Sequence, residues 1–155
     1  MITKEVVKQR LNTYNDEVDV DKVYKAIVEK AKELEYDFVE KEQTSKPTQY
    51  GDEITFVFEM SREVDPFGKL NIKVEGKFNN LNKVKGRYVG DGMIKIKGTM
   101  DLDYDDKFGV KPWKKILLKL YVLWNDPEIK NKYAKPLTKE VHEMQEYVKE
   151  KFTFS

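Results

Sequence analysis

The sequence contains no cysteine among its 155 residues. That absence excludes a disulfide framework, a zinc–thiolate site, an iron–sulfur cluster and a cysteine nucleophile. His142 is the single histidine, so a metal site built from several histidines is excluded too. We therefore predict no metal and no cofactor, and the sequence leans against enzymatic activity without deciding it.

The sequence also lacks an excess of charge of one sign, because it contains 29 basic and 28 acidic residues and its net charge is +1. A balanced total produces no overall field that would attract nucleic acid or an anionic membrane. Only three basic residues, Arg10, Arg62 and Arg87, are arginines, the side chains that best recognise phosphate and guanine. We therefore do not expect nucleic acid as a partner.

No apolar run approaches the roughly 18 residues that a membrane-spanning helix needs. The first residues, Met1 to Glu5, lack the apolar core of a signal peptide, so we expect a soluble, cytoplasmic protein. The length is typical of one domain, and we find no linker, repeat or low-complexity segment. We therefore predict a single domain over residues 1–155.

The strongest pattern in the sequence is period-two alternation between residues 53 and 104. In the segment 69–78, Leu70, Ile72, Val74 and Phe78 share one face, and lysines with Asn71 and Glu75 occupy the other. Such alternation predicts antiparallel strands with one dry and one wet face. The segments 53–60, 69–78 and 92–104 are predicted strands, with shorter ones at 36–43 and 84–89.

Turns and helices complete the predicted order. Glycine and proline place turns at 46–51, 66–68 and 90–92, and apolar spacing predicts helices from about 20 to 34, from 113 to 124 and from 138 to about 152. Residues 1–16 fit either an edge strand or a helix, and we favour the strand. This order predicts an α+β fold in which helices cover one face of an antiparallel sheet of about five strands.

The acidic cluster Asp101, Asp103, Asp105 and Asp106 is the densest in the chain. In an extended strand three of these side chains share a face and could hold a hard cation. The calcium-loop pattern fails, because Asp106 stands where glycine is needed and Pro112 where glutamate is needed. We favour a solvated strand end and leave cation binding open.

The segment from Lys111 to Trp124 is the most informative one for function. On a helical wheel one broad apolar face contains Trp113, Ile116, Leu117, Leu120, Leu123 and Trp124. We expect that face to cover the sheet. Leu118 and Val122 fall on the opposite side, among Lys114, Lys115 and Lys119, and need a second cover. Either the last helix packs over them, or they form an interaction surface for a protein partner or a homodimer; membrane contact is the least favoured alternative.

The supply of aromatic side chains suggests a second hypothesis, a carrier that holds a hydrophobic small molecule between the sheet and the carboxy-terminal helices. The candidate ligand-binding residues are Phe56, Phe58, Phe78, Trp113, Tyr121 and Trp124. Plain core packing is the alternative for these rings. A filled core would favour the interaction module over the carrier.

Two stretches, Glu35 to Glu42 and Lys46 to Ile54, followed by paired carboxy-terminal helices, resemble a group of small archaeal proteins of unknown function. The resemblance covers most of the chain, and Gln49 stands where a second proline is expected. It implies an archaeal, cytoplasmic protein and carries no activity with it. The predicted architecture also distantly resembles helix-grip proteins, which leaves function open because fold alone does not fix it.

Overall fold

The computed structural model describes residues 1–109 and 111–151 of the chain. Within them the elements follow the predicted order, except that the short strand expected at 84–89 is not formed, because residues 85–86 are a hairpin turn between two longer strands. Residues 2–18 form a strand, as favoured above. The elements are β1 (Ile2–Val18), α1 (Val20–Glu33), β2 (Asp37–Thr48), β3 (Gly51–Glu63), β4 (Gly68–Val84), β5 (Arg87–Leu102), α2 (Pro112–Trp124), α3 (Asp126–Ile129) and α4 (Lys135–Lys151), with a π-helical turn (Lys130–Ala134) between α3 and α4.

The five strands form one sheet in the order β1-β5-β4-β3-β2, and every neighbouring pair is antiparallel. This confirms the predicted α+β class with a five-stranded antiparallel sheet. The sheet is a simple meander from β2 to β5, and β1 then lies beside β5 at one edge. The chain crosses from β1 to the opposite edge through α1, so this helix has to pack across a sheet face.

Alternation along the strands sets the inner face of the sheet. Alternate residues of β3, β4 and β5 are buried, and their neighbours face outward. The inner face joins one apolar cluster with α1 and α4, whose buried residues recur every three or four positions. The helical members of that cluster are Val23, Ile27, Ala31, Leu137, Val141, Met144 and Val148.

One turn lies elsewhere than predicted. Gly90, Asp91 and Gly92 were expected to form a hairpin turn, but they lie inside β5. The turn between β4 and β5 is Lys85–Gly86, and both residues have positive φ, as a type I′ hairpin turn requires. Gly90 instead marks a close backbone approach, because an added Cβ would lie 2.8 Å from the carbonyl oxygens of Asn79 and Asn80.

Two observed boundaries also differ from the predicted ones. The loop expected at residues 46–51 shortens to Gln49–Tyr50, because β2 continues through Pro47 to Thr48 at the sheet edge, where a missing N–H costs no ladder bond. The last helix begins at Lys135 rather than near Thr138. Its predicted end at Phe152 lies outside the described residues.

Candidate functional site

Helix α2 packs on the rest of the protein through a narrow strip. Leu118 and Val122 are each 2% exposed and belong to the apolar core. Tyr121 adds a side contact, since its ring centroid lies 5.4 Å from that of Phe67 and 5.3 Å from that of Phe108. These contacts fix which side of the helix faces inward.

The predicted orientation of α2 is therefore wrong. Leu118 and Val122 were candidates for an interaction surface, but they belong to the core of the same chain, so the alternative of packing within the chain holds for them. The six-residue broad face, expected to cover the sheet, points outward instead. The physical reason is that α1 and α4 already cover the inner sheet face, so α2 is left with a smaller contact beside the β3–β4 turn. A helical wheel identifies two apolar faces but cannot choose between them.

The outward face of α2 is an apolar surface without a cover in the described part of the chain. Trp124 is 89% exposed and Leu123 66%, which is unusual for side chains of this size. We call this surface the outward α2 face, and its residues are Trp113, Ile116, Leu117, Leu120, Tyr121, Leu123 and Trp124. At these exposures the seven side chains present on the order of 800 Å², more than the apolar patches of a typical monomer.

Charge around this face is polarised along the helix. Lys114, Lys115 and Lys119 lie within α2, which contains no acidic residue. The amine of Lys114 is 5.4 Å from the centre of the Trp113 ring. Acidic residues follow the end of the helix at Asp126 and Glu128, and Asp126 pairs with Lys130 at 2.9 Å. The face therefore has lysines along the helix and Glu128 beyond its carboxy-terminal end.

The structure separates the six predicted ligand-binding aromatics into two groups. Phe56, Phe58 and Phe78 are at most 1% exposed and lie in the core. The centroids of Phe56 and Phe58 are 4.9 Å apart, and those of Phe56 and Phe78 are 6.1 Å apart. The other three, Trp113, Tyr121 and Trp124, lie on α2 with exposed rings.

Phe56 also shows that this part of the core is filled. A Cβ added at Gly76 would lie only 2.2 Å from the Phe56 ring, so the ring occupies the space above the glycine. The core aromatics therefore pack against one another, and a cavity lined by all six residues is not formed. Plain core packing, the alternative given for these rings, is what the structure shows for Phe56, Phe58 and Phe78.

No family model, curated protein or solved structure matches this chain. The site therefore has to be interpreted from its own residues. Among the described residues, no helix has both the length and the apolar character that crossing a bilayer would require.

A polar cluster around Asp65 holds the base of α2 and α3 against the β3–β4 turn. Asp65 accepts hydrogen bonds from the backbone amides of Phe67 (2.9 Å) and Gly68 (2.7 Å) through Oδ1. Its Oδ2 accepts from the Tyr133 hydroxyl at 2.7 Å and pairs with the Lys132 amine at 2.5 Å. The two amide contacts shape the turn, and the contacts with Tyr133 and Lys132 tie it to the segment that follows α3.

These contacts change the acidity of the cluster. Burial raises the pKa of Asp65, but the hydrogen bonds from Lys132, Tyr133 and the two amides outweigh it and lower the pKa to about 2. The pKa of Tyr133 is raised, first by burial and then by its bond to the carboxylate. Asp65 is thus an ionised structural acceptor with both oxygens occupied. The sequence pattern predicted only the turn at 66–68. The aspartate just before Pro-Phe-Gly is the signal from which its hydrogen bonds to the turn amides could have been predicted.

We predict that Asp65→Asn lowers the free energy of unfolding by about 1–2 kcal/mol at pH 7, after allowance for solvent screening. Asparagine can still accept from the turn amides but loses the charge paired with Lys132. Because the folded pKa is depressed, the contribution of Asp65 is complete above the unfolded pKa near 4 and is lost as the pH falls through about 2. Urea unfolding of both proteins across pH 2–7 tests this; a difference independent of pH would contradict it.

A second cluster joins α4 to the sheet and engages both oxygens of Glu140. Arg62 lies 2.6 Å from Oε1, and the Tyr36 hydroxyl donates to Oε2 at 2.5 Å. Arg62 also donates to the carbonyl of Leu34 and stacks over the Tyr36 ring at 5.0 Å. Burial raises the pKa of Tyr36, followed by its bond to Glu140. Both carboxylate oxygens of Glu140 therefore take part in contacts that hold α4 against the sheet.

The acidic cluster at 101–106 is divided among separate structural contacts. Asp103 is 1% exposed, and its carboxylate accepts from the amides of Lys107 and Phe108. Asp101 accepts from Thr3 and Asn71, and Asp106 pairs with the terminal amine of Met1 at 2.6 Å. Within the described residues, no group of three or more His, Asp or Glu side chains converges as metal ligands.

The outer face of the sheet carries an open hollow of about 490 Å³. Its lysines are largely matched by acids: Lys41 lies 3.7 Å from Glu59, and Lys97 lies 3.8 Å from Glu5. None of the residues that line it is aromatic, so it offers no stacking platform for bases. The outward α2 face is therefore the better candidate for a functional surface.

Proposed function

We propose that this protein is a non-enzymatic protein-interaction module and that it binds through the outward α2 face. The observation that carries the proposal is the exposure of seven large apolar side chains on one side of a single helix. Leaving such a surface in water is costly, at about 25 cal/mol per Å² of apolar area. A binding partner that covers it recovers that free energy.

The composition of the face supports a protein partner. Interface cores are enriched in aromatic residues, and tryptophan and tyrosine are frequent hot spots. The face contains both tryptophans of the chain and Tyr121. Lys114, Lys115 and Lys119 lie around it as a charged rim, which is the usual arrangement in a specific interface.

Catalytic chemistry is not needed to explain the polar clusters. Asp65, Asp103 and Glu140 each use both carboxylate oxygens in structural contacts, which for Asp103 are local ones with Lys107 and Phe108. The filled packing around Phe56 and Gly76 also gives the interaction module more support than the carrier. We further propose a cytoplasmic protein related to the archaeal group noted above; the lack of cysteine fits a reducing compartment.

A photo-crosslinking amino acid placed at Leu120 tests the proposal. Leu120 and Val84 are both 51% exposed, but Val84 lies at the end of β4, away from α2. In intact cells of the source organism, we expect a defined protein adduct from position 120 and none from position 84. The same adduct should disappear when Trp124 is also replaced by aspartate.

Two outcomes would reject a protein-interaction role for α2. One is the absence of any protein adduct from position 120 while the protein remains folded. The other is an adduct formed only with lipid, which would identify the face as a membrane-contact surface.

A further inference from the structure

The outward α2 face has an internal symmetry that identifies a partner. Leu117 and Leu120 are equally distant from the midpoint of the stretch 113–124, which lies between Leu118 and Lys119, and Trp113 and Trp124 are its two ends. The tryptophans are eleven positions apart, close to three turns of 3.6 residues, so both lie on the same side of the helix. The face therefore presents nearly the same surface when its direction is reversed.

Resting on the proposed function, we infer that the partner of the outward α2 face is a second copy of this chain, bound through an antiparallel α2–α2 pair. A two-fold axis through the helix midpoint makes such an interface isologous, with the same patch used on both copies. Leu117 then meets Leu120 of the second copy at the centre. Trp113 meets Trp124 of the second copy at each end, which doubles every favourable contact.

The exposed area is large enough to form a dimer interface. The outward face presents on the order of 800 Å² per copy, which is the upper limit of what the pair can bury, and the smaller specific interfaces bury about 600 Å² on each partner. Its centre is wholly apolar, while its charged residues lie at the rim. These are the proportions of an interface in which a few central aromatic and aliphatic side chains supply most of the affinity.

Charge along the helix favours the antiparallel direction. Lys114 and Tyr121 are seven residues apart, about two turns, and so lie on one flank of α2. Glu128 and Tyr121 line the same small hollow of about 120 Å³ beside the end of that helix. The two-fold axis therefore brings Lys114 of one copy towards Glu128 of the other, twice. A parallel pair would instead leave Lys114 and Glu128 at opposite ends of the interface.

The same polarity disfavours a lipid surface as the occupant. An anionic membrane would attract the lysines of α2 but repel Glu128 beyond its carboxy-terminal end, whereas Asp126 is paired with Lys130. A second copy satisfies both ends at once. Lys119 of one copy lies near Lys119 of the other copy on one flank of the pair. Both amines stay in water there, so their repulsion is screened.

Sedimentation velocity and native mass spectrometry of the purified full chain test the association. We expect a dimer of twice the 18.4 kDa chain mass. Leu120→Glu places two carboxylates beside the two-fold axis and should weaken dimerisation at least about 100-fold. The matched control Val84→Glu, at a site of equal exposure, should leave the dimer unchanged.

Cysteine pairs test the direction of the helices, and the chain has no other cysteine to interfere. In the antiparallel pair, equivalent positions 113 lie roughly 16 Å apart along the axis, too far for a disulfide. Trp113→Cys alone and Trp124→Cys alone should therefore form no crosslink on mild oxidation. An equimolar mixture should form the mixed disulfide. Crosslinks within each single variant would show a parallel pair and overturn the inference.

A charge exchange gives a second measurement that keeps both tryptophans. Lys114→Glu should weaken the dimer roughly 5- to 10-fold, and adding Glu128→Lys should restore it. A monomer at all concentrations would overturn the dimer. If position 120 still crosslinks to a different protein, the proposed function survives that failure; if it crosslinks to no protein, both fail.

Discussion

Replacing Leu118 by alanine is expected to lower the free energy of unfolding by about 3 kcal/mol, whereas the same change at its neighbour Leu117 is expected to cost less than about 0.5 kcal/mol. Leu118 is 2% exposed and Leu117 is 47% exposed, although both belong to the same helix. The two substitutions remove the same atoms. Truncation at 118 leaves a cavity in the core, while truncation at 117 removes surface already in water.

Both leucine variants should be compared in a Leu120→Glu background, so that loss of association does not enter the measured stability. Urea unfolding followed by circular dichroism gives the two values. Equal costs at the two positions, or a larger cost at Leu117, would mean that the broad face packs inward and that α2 is oriented as the sequence pattern first indicated.

Gly76→Ala is expected to destabilise the protein by roughly 2–4 kcal/mol, because overpacking a filled core forces rings and backbone to shift. The added Cβ would lie 2.2 Å from Phe56, a ring that is 1% exposed and has no room to withdraw. The steric source can be isolated with Phe56→Leu, which removes the clashing ring atoms.

The double variant Gly76→Ala with Phe56→Leu should be more stable than the sum of the two single costs implies, by about 1 kcal/mol or more. Chemical denaturation of the four proteins in the cycle measures this coupling. Strict additivity would show that Gly76 is needed for a reason other than its contact with Phe56. It would also mean that the core beside Phe56 has free volume, as the carrier hypothesis requires.

The sheet was predictable because its signal is local. Alternation in residues such as Leu70, Ile72 and Val74 sets both the strand and the face that it buries. The turn at Lys85–Gly86 was missed because two glycines at 90 and 92 gave a stronger local signal. Only the pairing partner, the irregular segment at Asn79–Asn82, shows that Gly90 serves a close approach within a strand.

The candidate site was half predictable. The sequence located the helix and both of its apolar faces, but orientation depends on which surfaces the rest of the fold leaves open. Leu118 and Val122 pack inward because α1 and α4 already cover the sheet, a fact that no pattern within α2 contains. The Asp65 cluster could not be predicted either, since Lys132 and Tyr133 lie more than sixty residues away along the chain.

The most direct test uses the two tryptophans, Trp113 and Trp124, because both lie on the outward α2 face and no other tryptophan contributes to fluorescence. Acrylamide quenching should be strong in dilute protein and should fall as the concentration rises through the dimer dissociation constant. Leu120→Glu should remain strongly quenched throughout. Tryptophans protected at every dilution, in the variant as well, would show that α2 buries its broad face within its own chain and would contradict the account.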